Sequence, residues 1–193
     1  DGDFIMAICA LDMLKRGKLE KNTVVGTIMT NMGFSRFCEE NGIRLITTKV
    51  GDRYVLEEML LEEYSFGGEQ SGHVIFRDFA TTGDGQLTAI QLLSILKREN
   101  MTLRDAAKIM TRYPQTMINV RVSHEGKLKF YMDAQVKAAI EAGKADLGHD
   151  GRVVVRVSGT EPLIRVMTEG LDAEKIRAVA ENIAEVVRRQ LAE

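Results

Sequence analysis

Val153-Val154-Val155-Arg156-Val157-Ser158-Gly159-Thr160-Glu161-Pro162-Leu163-Ile164-Arg165-Val166-Met167 holds two apolar, largely β-branched runs around a polar turn. Runs of that kind favour half-buried strands, so the stretch reads as two strands flanking a loop. The loop carries more chemistry than a plain hairpin turn needs. Ser158 and Thr160 can each donate a hydroxyl hydrogen bond. Gly159 lets the backbone approach a ligand and point its amides at an anion. Arg156 and Arg165 supply planar donor forks that match phosphate oxygens. Taken by itself the stretch fits either a phosphate cradle or a surface turn, because Ser, Gly, Thr and Pro are ordinary turn residues.

Downstream, Asp172 reads as the cap of a helix running to about residue 191, with Ile176, Val179, Ile183 and Val187 on one face. Upstream, residues 117–122 read as a strand, 128–142 as a helix and 143–151 as a polar connection. The order strand, helix, strand, strand, helix predicts a small α+β domain with an antiparallel sheet over residues 117–193.

The pattern before Pro114 is different. Phe4, Ile8, Leu11 and Leu14 recur at near-helical spacing, and Gly17 follows as a stop. Residues 23–29 are β-branched and apolar, 33–41 form a short helical pattern before Gly42, and 43–50 return to strand character. Gly51-Asp52-Arg53 opens a further helix with Val55, Leu56, Met59 and Leu60 assigned to its inner face. A short strand near Ser65 and Phe66, the apolar run Val74-Ile75-Phe76, a loop at 81–85 and an apolar helix at 87–97 follow. Thr102 starts another helix, with Asp105 as its capping-box-like partner. Alternating strands and helices predict a layered α/β/α domain with a mixed sheet over residues 1–116, so the fold class is α/β plus α+β.

A second chemical cluster lies at Gly67-Gly68-Glu69-Gln70-Ser71-Gly72-His73. Sugar hydroxyls both donate and accept. Glu69 can accept, and Gln70 and Ser71 can do both. His73 is a candidate phosphate contact or proton carrier near neutral pH, or simply a histidine hydrogen-bonded at the edge of a glycine-rich bend. At Gly51-Asp52-Arg53-Tyr54, Asp52 reads as an N-cap. Arg53 in the first helical turn opposes the dipole, which points to an anionic partner.

With 193 residues, 45% hydrophobic content and a net charge of −2, the chain has the composition of an ordinary soluble protein. A pI near 6.0 argues against a general nucleic-acid binder. Cys9 and Cys38 fall in helical patterns, which fits buried thiols in a reducing, cytoplasmic setting. No apolar run reaches the length of a membrane span. The three histidines and two cysteines lack metal-ligand spacing. Neither a Walker lysine motif nor a nucleophile elbow is present. The sequence starts Asp1-Gly2-Asp3 without a methionine and runs straight into a helical pattern, as a piece of a longer protein would.

Read in order, Val50-Gly51-Asp52-Arg53-Tyr54-Val55, Gly67-Gly68-Glu69-Gln70-Ser71-Gly72-His73 and Ser158-Gly159-Thr160-Glu161-Pro162-Leu163-Ile164-Arg165 resemble the phosphohexomutase superfamily over essentially the whole chain. The resemblance implies the third and fourth domains of a four-domain enzyme. The third domain's sugar-specificity loop corresponds to Glu69, Ser71 and His73, with Arg53 as a further candidate substrate contact. The fourth domain's phosphate-binding loop corresponds to Arg156, Ser158, Gly159, Thr160 and Arg165. The family's catalytic phosphoserine and magnesium-binding loop would lie in the missing N-terminal domains, so this chain would be inactive alone.

The implied reaction is reversible phosphoryl transfer on a hexosamine phosphate. It would interconvert glucosamine 6-phosphate and glucosamine 1-phosphate through glucosamine 1,6-bisphosphate. The Gly-Asp-Arg-Tyr segment and Gln70 point to the glucosamine-specific branch. A phosphomannomutase, a phosphoglucomutase or a non-catalytic sugar-phosphate-binding domain pair are the alternatives. One departure stands out, in that Val157 occupies a position where the family often has proline, leaving more backbone freedom ahead of the loop.

Overall fold

The computed structural model describes residues 1–192. It divides into two compact units, Asp1–Arg112 and Tyr113–Glu193.

In the first unit β1 (Thr23–Thr27), β2 (Arg44–Thr48), β3 (Phe66–Gly68) and β4 (Val74–Phe76) form a sheet of order β2-β1-β3-β4. β1 runs parallel to both β2 and β3, while β4 is antiparallel to β3. Alternation along the strands sends side chains to opposite faces. Val24, Phe66, Val74 and Phe76 join a core with Met6 and Cys9 of α1 (Gly2–Lys15), Phe34 and Phe37 of α2 (Met32–Glu40) and Ile95 of α4 (Gly85–Arg98). Val25 and Ile75 join a second core with Val55 and Met59 of α3 (Asp52–Leu61). Two separate cores on two faces of one mixed sheet make the three-layer α/β/α sandwich that the sequence pattern implied.

The inner face assigned to α3 is narrower than expected. Val55 and Met59 are buried, but Leu60 is 52% exposed. The helix begins one residue earlier than a cap at Asp52 would require. Gly51 holds the N-cap position with φ 133° and ψ 130°, and Asp52 is the first helical residue. A backbone of that shape suits glycine, since L side chains rarely adopt it. The helix after Thr102 is also brief: α5 (Leu103–Ala106) gives way to a 3-10 turn over Ala107–Ile109. Its capping pair forms, with the Thr102 hydroxyl donating to Asp105 Oδ2 at 2.6 Å and accepting from the Asp105 amide at 3.2 Å.

The second unit holds a three-stranded antiparallel sheet of order β5-β7-β6, from β5 (Gln115–Arg121), β6 (Gly151–Val157) and β7 (Leu163–Gly170). α7 (Ala134–Leu147) and α8 (Ala173–Leu191) supply most of the helical side of its core. Asp172 caps α8 by accepting from the amides of Glu174 and Lys175. Ile176, Val179, Ile183 and Val187 are all buried beneath it.

Two readings of this unit change. The single helix expected over 128–142 is two: α6 (His124–Lys129) ends at Phe130, and Asp133 caps α7 by accepting from the Val136 amide at 2.8 Å. The polar connection expected from 143 starts five residues later, because α7 continues to Leu147. Gly143, the first residue of the expected connection, lies inside α7 and is a packing residue. A Cβ there would come within 2.9 Å of both Ile183 Cδ1 and Val179 Cγ1. The missing side chain lets α7 lie close against α8.

Candidate functional site

The sugar-loop candidates sit at the end of β3. Gly67 and Gly68 pair with Ile75 and Val74, and the chain then turns through Glu69–Gly72. Two backbone bonds close the turn: the Glu69 amide donates to the His73 carbonyl, and the Gly72 amide to the Glu69 carbonyl, each at 2.9 Å. The turn also leans on α1, whose Gly2 amide donates to the Gln70 carbonyl at 3.0 Å.

Glu69 is only 9% exposed. One of its oxygens, Oε1, accepts the Gly51 amide at 2.9 Å. That bond joins the helix-opening loop at 51–53 to the turn at 69–73, two segments 18 residues apart in the chain. Buried carboxylates need such partners. With Oε1 engaged and its orientation fixed, Glu69 is a preorganised acceptor at the loop's base.

Ser71 and His73 are exposed, with Ser71 Oγ 3.4 Å from His73 Nδ1. Both can meet a ligand from solvent. Arg53 is exposed as well, and its anionic partner is Glu57 one helical turn on, with Nε 2.7 Å from Oε1. That hydrogen bond, and then the Glu57 charge, raise the Arg53 pKa further above its ordinary value. The anionic partner expected for Arg53 is therefore an intrahelical one. Gln70 presents the opposite case, since its Nε2 is buried and has no hydrogen-bond partner.

In the second unit, β6 and β7 place the phosphate-loop candidates around one hairpin tip. Arg156 on β6 is the direct cross-strand partner of Arg165 on β7, and Arg165 is in turn opposite Asn119 on β5. Directly paired residues share a face, so Asn119, Arg165 and Arg156 form a polar row across all three strands. Ile164 and Val166 point to the other face, into the core under the helices. Two guanidiniums side by side are costly, and the Arg156 pKa is lowered, first by burial and then by the Arg165 charge.

Ser158 is 2% exposed and closes the hairpin, its amide donating to the Leu163 carbonyl at 2.9 Å. Its hydroxyl accepts the Glu161 amide at 3.3 Å and keeps its own proton to donate. Gly159 and Thr160 stand exposed at the tip. Arg165 Nη2 donates to Glu161 Oε2, while Arg165 Nε is buried without a hydrogen-bond partner. A guanidinium with an unused buried donor beside a polar hairpin tip has capacity for an oxyanion.

Sequence reasoning missed three participants. Gly51 is the amide that orients Glu69. Asn119 joins the arginine row only through strand pairing, which local sequence does not disclose. Lys127 of α6 donates from Nζ to the Glu161 carbonyl at 3.1 Å across 34 residues of chain. Among the described residues no group of three or more His, Cys, Asp or Glu comes together to hold a metal ion. The described residues do not fit a magnesium site. No helix of the described residues is long and apolar enough to cross a membrane.

Residues 1–113 match the family described as phosphoglucomutase/phosphomannomutase, alpha/beta/alpha domain III, and residues 117–186 match its C-terminal domain. A phosphoglucosamine mutase of Caldanaerobacter subterraneus subsp. tengcongensis is 53% identical over 191 residues, 99% of this chain and 43% of the relative. One from Symbiobacterium thermophilum is 54% identical over 191 residues, 99% of this chain and 42% of the relative. The chain thus spans less than half the length of these curated relatives. A solved structure of Aspergillus fumigatus N-acetylphosphoglucosamine mutase in complex with GlcNAc-6P and magnesium superposes with a TM-score of 0.77 at 20% identity. That match covers 97% of this chain and 46% of that one, and it shows a shared fold.

Proposed function

The chain belongs to the phosphoglucomutase/phosphomannomutase family, and on that premise we propose that it forms the sugar- and phosphate-binding half of a phosphoglucosamine mutase. The complete enzyme would interconvert glucosamine 6-phosphate and glucosamine 1-phosphate through glucosamine 1,6-bisphosphate. The observation that carries the reading is the Arg156–Arg165 pair flanking the hairpin tip of Ser158, Gly159 and Thr160. Two guanidinium forks, hydroxyls and free loop amides match the three oxygens of a phosphate monoester.

In this reading Arg156, Ser158, Gly159, Thr160 and Arg165 hold the phosphate that is not reacting. Binding a remote phosphate orients the sugar and places the reacting oxygen, which lowers the barrier without touching the bond that breaks. Glu69 accepts from sugar hydroxyls with its carboxylate fixed by Gly51, and Ser71 donates or accepts beside it. His73, level with Ser71, takes a phosphate contact or carries a proton. Arg53 meets the substrate only by leaving Glu57. The phosphoryl donor and the magnesium ion would lie in a part of the complete enzyme that this chain does not span.

The names of the half-identical relatives favour glucosamine over glucose or mannose. The test is a coupled assay of the complete polypeptide on glucosamine, glucose and mannose 6-phosphates. The highest kcat/KM is expected for glucosamine 6-phosphate. A preference for glucose or mannose would replace this reading with a phosphoglucomutase or phosphomannomutase.

A further inference from the structure

We propose that Glu161 is an intramolecular competitor for the phosphate site, occupying Arg165 while the loop is empty and yielding it when phosphate arrives. This rests on the reading of the hairpin tip as a phosphate anchor and adds a residue that regulates its occupancy.

The ion pair runs from Arg165 Nη2 to Glu161 Oε2, four residues apart across the loop. The Glu161 side chain is 50% exposed, so its carboxylate returns to water at small cost when displaced. Its backbone does not need to move. The Glu161 amide is held by Ser158 Oγ, and its carbonyl accepts from the Leu163 amide at 2.9 Å and from Lys127 Nζ at 3.1 Å. Only side-chain torsions separate the occupied and released positions. The carboxylate also leaves Arg165 Nε without a partner. A phosphate has more oxygens and more negative charge, and it can engage donors the carboxylate leaves idle.

The exchange has two consequences. An empty site keeps its paired guanidiniums partly neutralised, which offsets the repulsion between Arg156 and Arg165. A bound phosphate faces a tethered anion at high effective concentration, which speeds its release. A singly charged ligand gains little by the exchange, whereas a dianion gains more, so the competitor also selects for charge.

The experiment titrates inorganic phosphate into the 193-residue chain, following amide resonances of Ser158, Gly159 and Thr160, for the native protein and for Glu161→Gln. The amide side chain keeps the shape and removes the charge. Glu161→Gln is expected to tighten phosphate binding about two- to fivefold, the scale set by an exposed ion pair, with slower exchange. Damage to the hairpin could only weaken binding, so a gain separates competition from a structural role. Unchanged or weaker binding by Glu161→Gln, with the native loop still responding, would overturn the competitor alone. A native loop that does not respond to phosphate would overturn the anchor reading and the competitor together.

Discussion

The Gly51 amide donates to Glu69 Oε1 at 2.9 Å, tying the opening of α3 to the turn proposed to bind the sugar. The donor is a glycine with φ 133°, and a Cβ at that position would lie 3.3 Å from Tyr54 Cδ2. Gly51→Ala is expected to destabilise the first unit by about 1–3 kcal/mol, the scale of backbone strain at such a position. It should also weaken glucosamine 6-phosphate binding while leaving inorganic phosphate binding unchanged. Thermal unfolding and two titrations measure this; an unchanged affinity for the sugar phosphate would mean that the amide does not orient Glu69.

Glu69→Ala removes the buried carboxylate itself. Sugar recognition should fall while inorganic phosphate still binds, because Glu69 and the hairpin tip belong to separate units. Equal losses for both ligands would assign Glu69 a role in folding only.

Arg165 contributes a charged donor fork beside the hairpin tip proposed to hold phosphate. Arg165→Ala should weaken transition-state stabilisation in the complete enzyme by about 1.5–3 kcal/mol, the scale of hydrogen bonds to charged groups. An unchanged kcat/KM would remove Arg165 from the site.

Cys9 and Cys38 are buried, and both thiols are pushed up from 9.0 to about 12. Burial is the main cause for each, with Asp12 adding for Cys9 and Glu39 then Asp3 for Cys38. The folded state therefore keeps its thiol protons where the unfolded state has lost them. Stability from this source is full below pH 9.0 and declines as pH rises toward about 12. Urea unfolding at stepped pH should show the decline, with a shallower slope in a Cys9→Ala, Cys38→Ala variant. Native protein at pH 8 should resist thiol-modifying reagents, and rapid labelling there would contradict the burial.

Much of this was legible from local pattern. Asp172 capping α8 and the four apolar residues below it were visible because cap and periodicity are short-range signals. The two strands flanking the loop at 158–162 were visible for the same reason. What escaped depends on partners distant in sequence. Gly143 reads as the first residue of a connection until Val179 and Ile183 are brought against it. Asp133 looks like an interior residue until the Val136 amide shows that it caps a new helix. Arg53 was correctly read as needing an anion, but the sequence alone could not decide between a ligand and Glu57. The Gly51–Glu69 bond and the Asn119–Arg165–Arg156 row emerge only from tertiary pairing.

The most direct test of the central claim compares two ligands on one sample. Amide spectra of the 193-residue chain are recorded with inorganic phosphate and then with glucosamine 6-phosphate. Phosphate should shift Ser158, Gly159 and Thr160 alone. The sugar phosphate should shift these and also Gly51, Glu69 and Ser71. A phosphate response confined to residues outside the hairpin tip, or a sugar phosphate that leaves the Glu69 loop unmoved, would contradict the division of labour between the two loops.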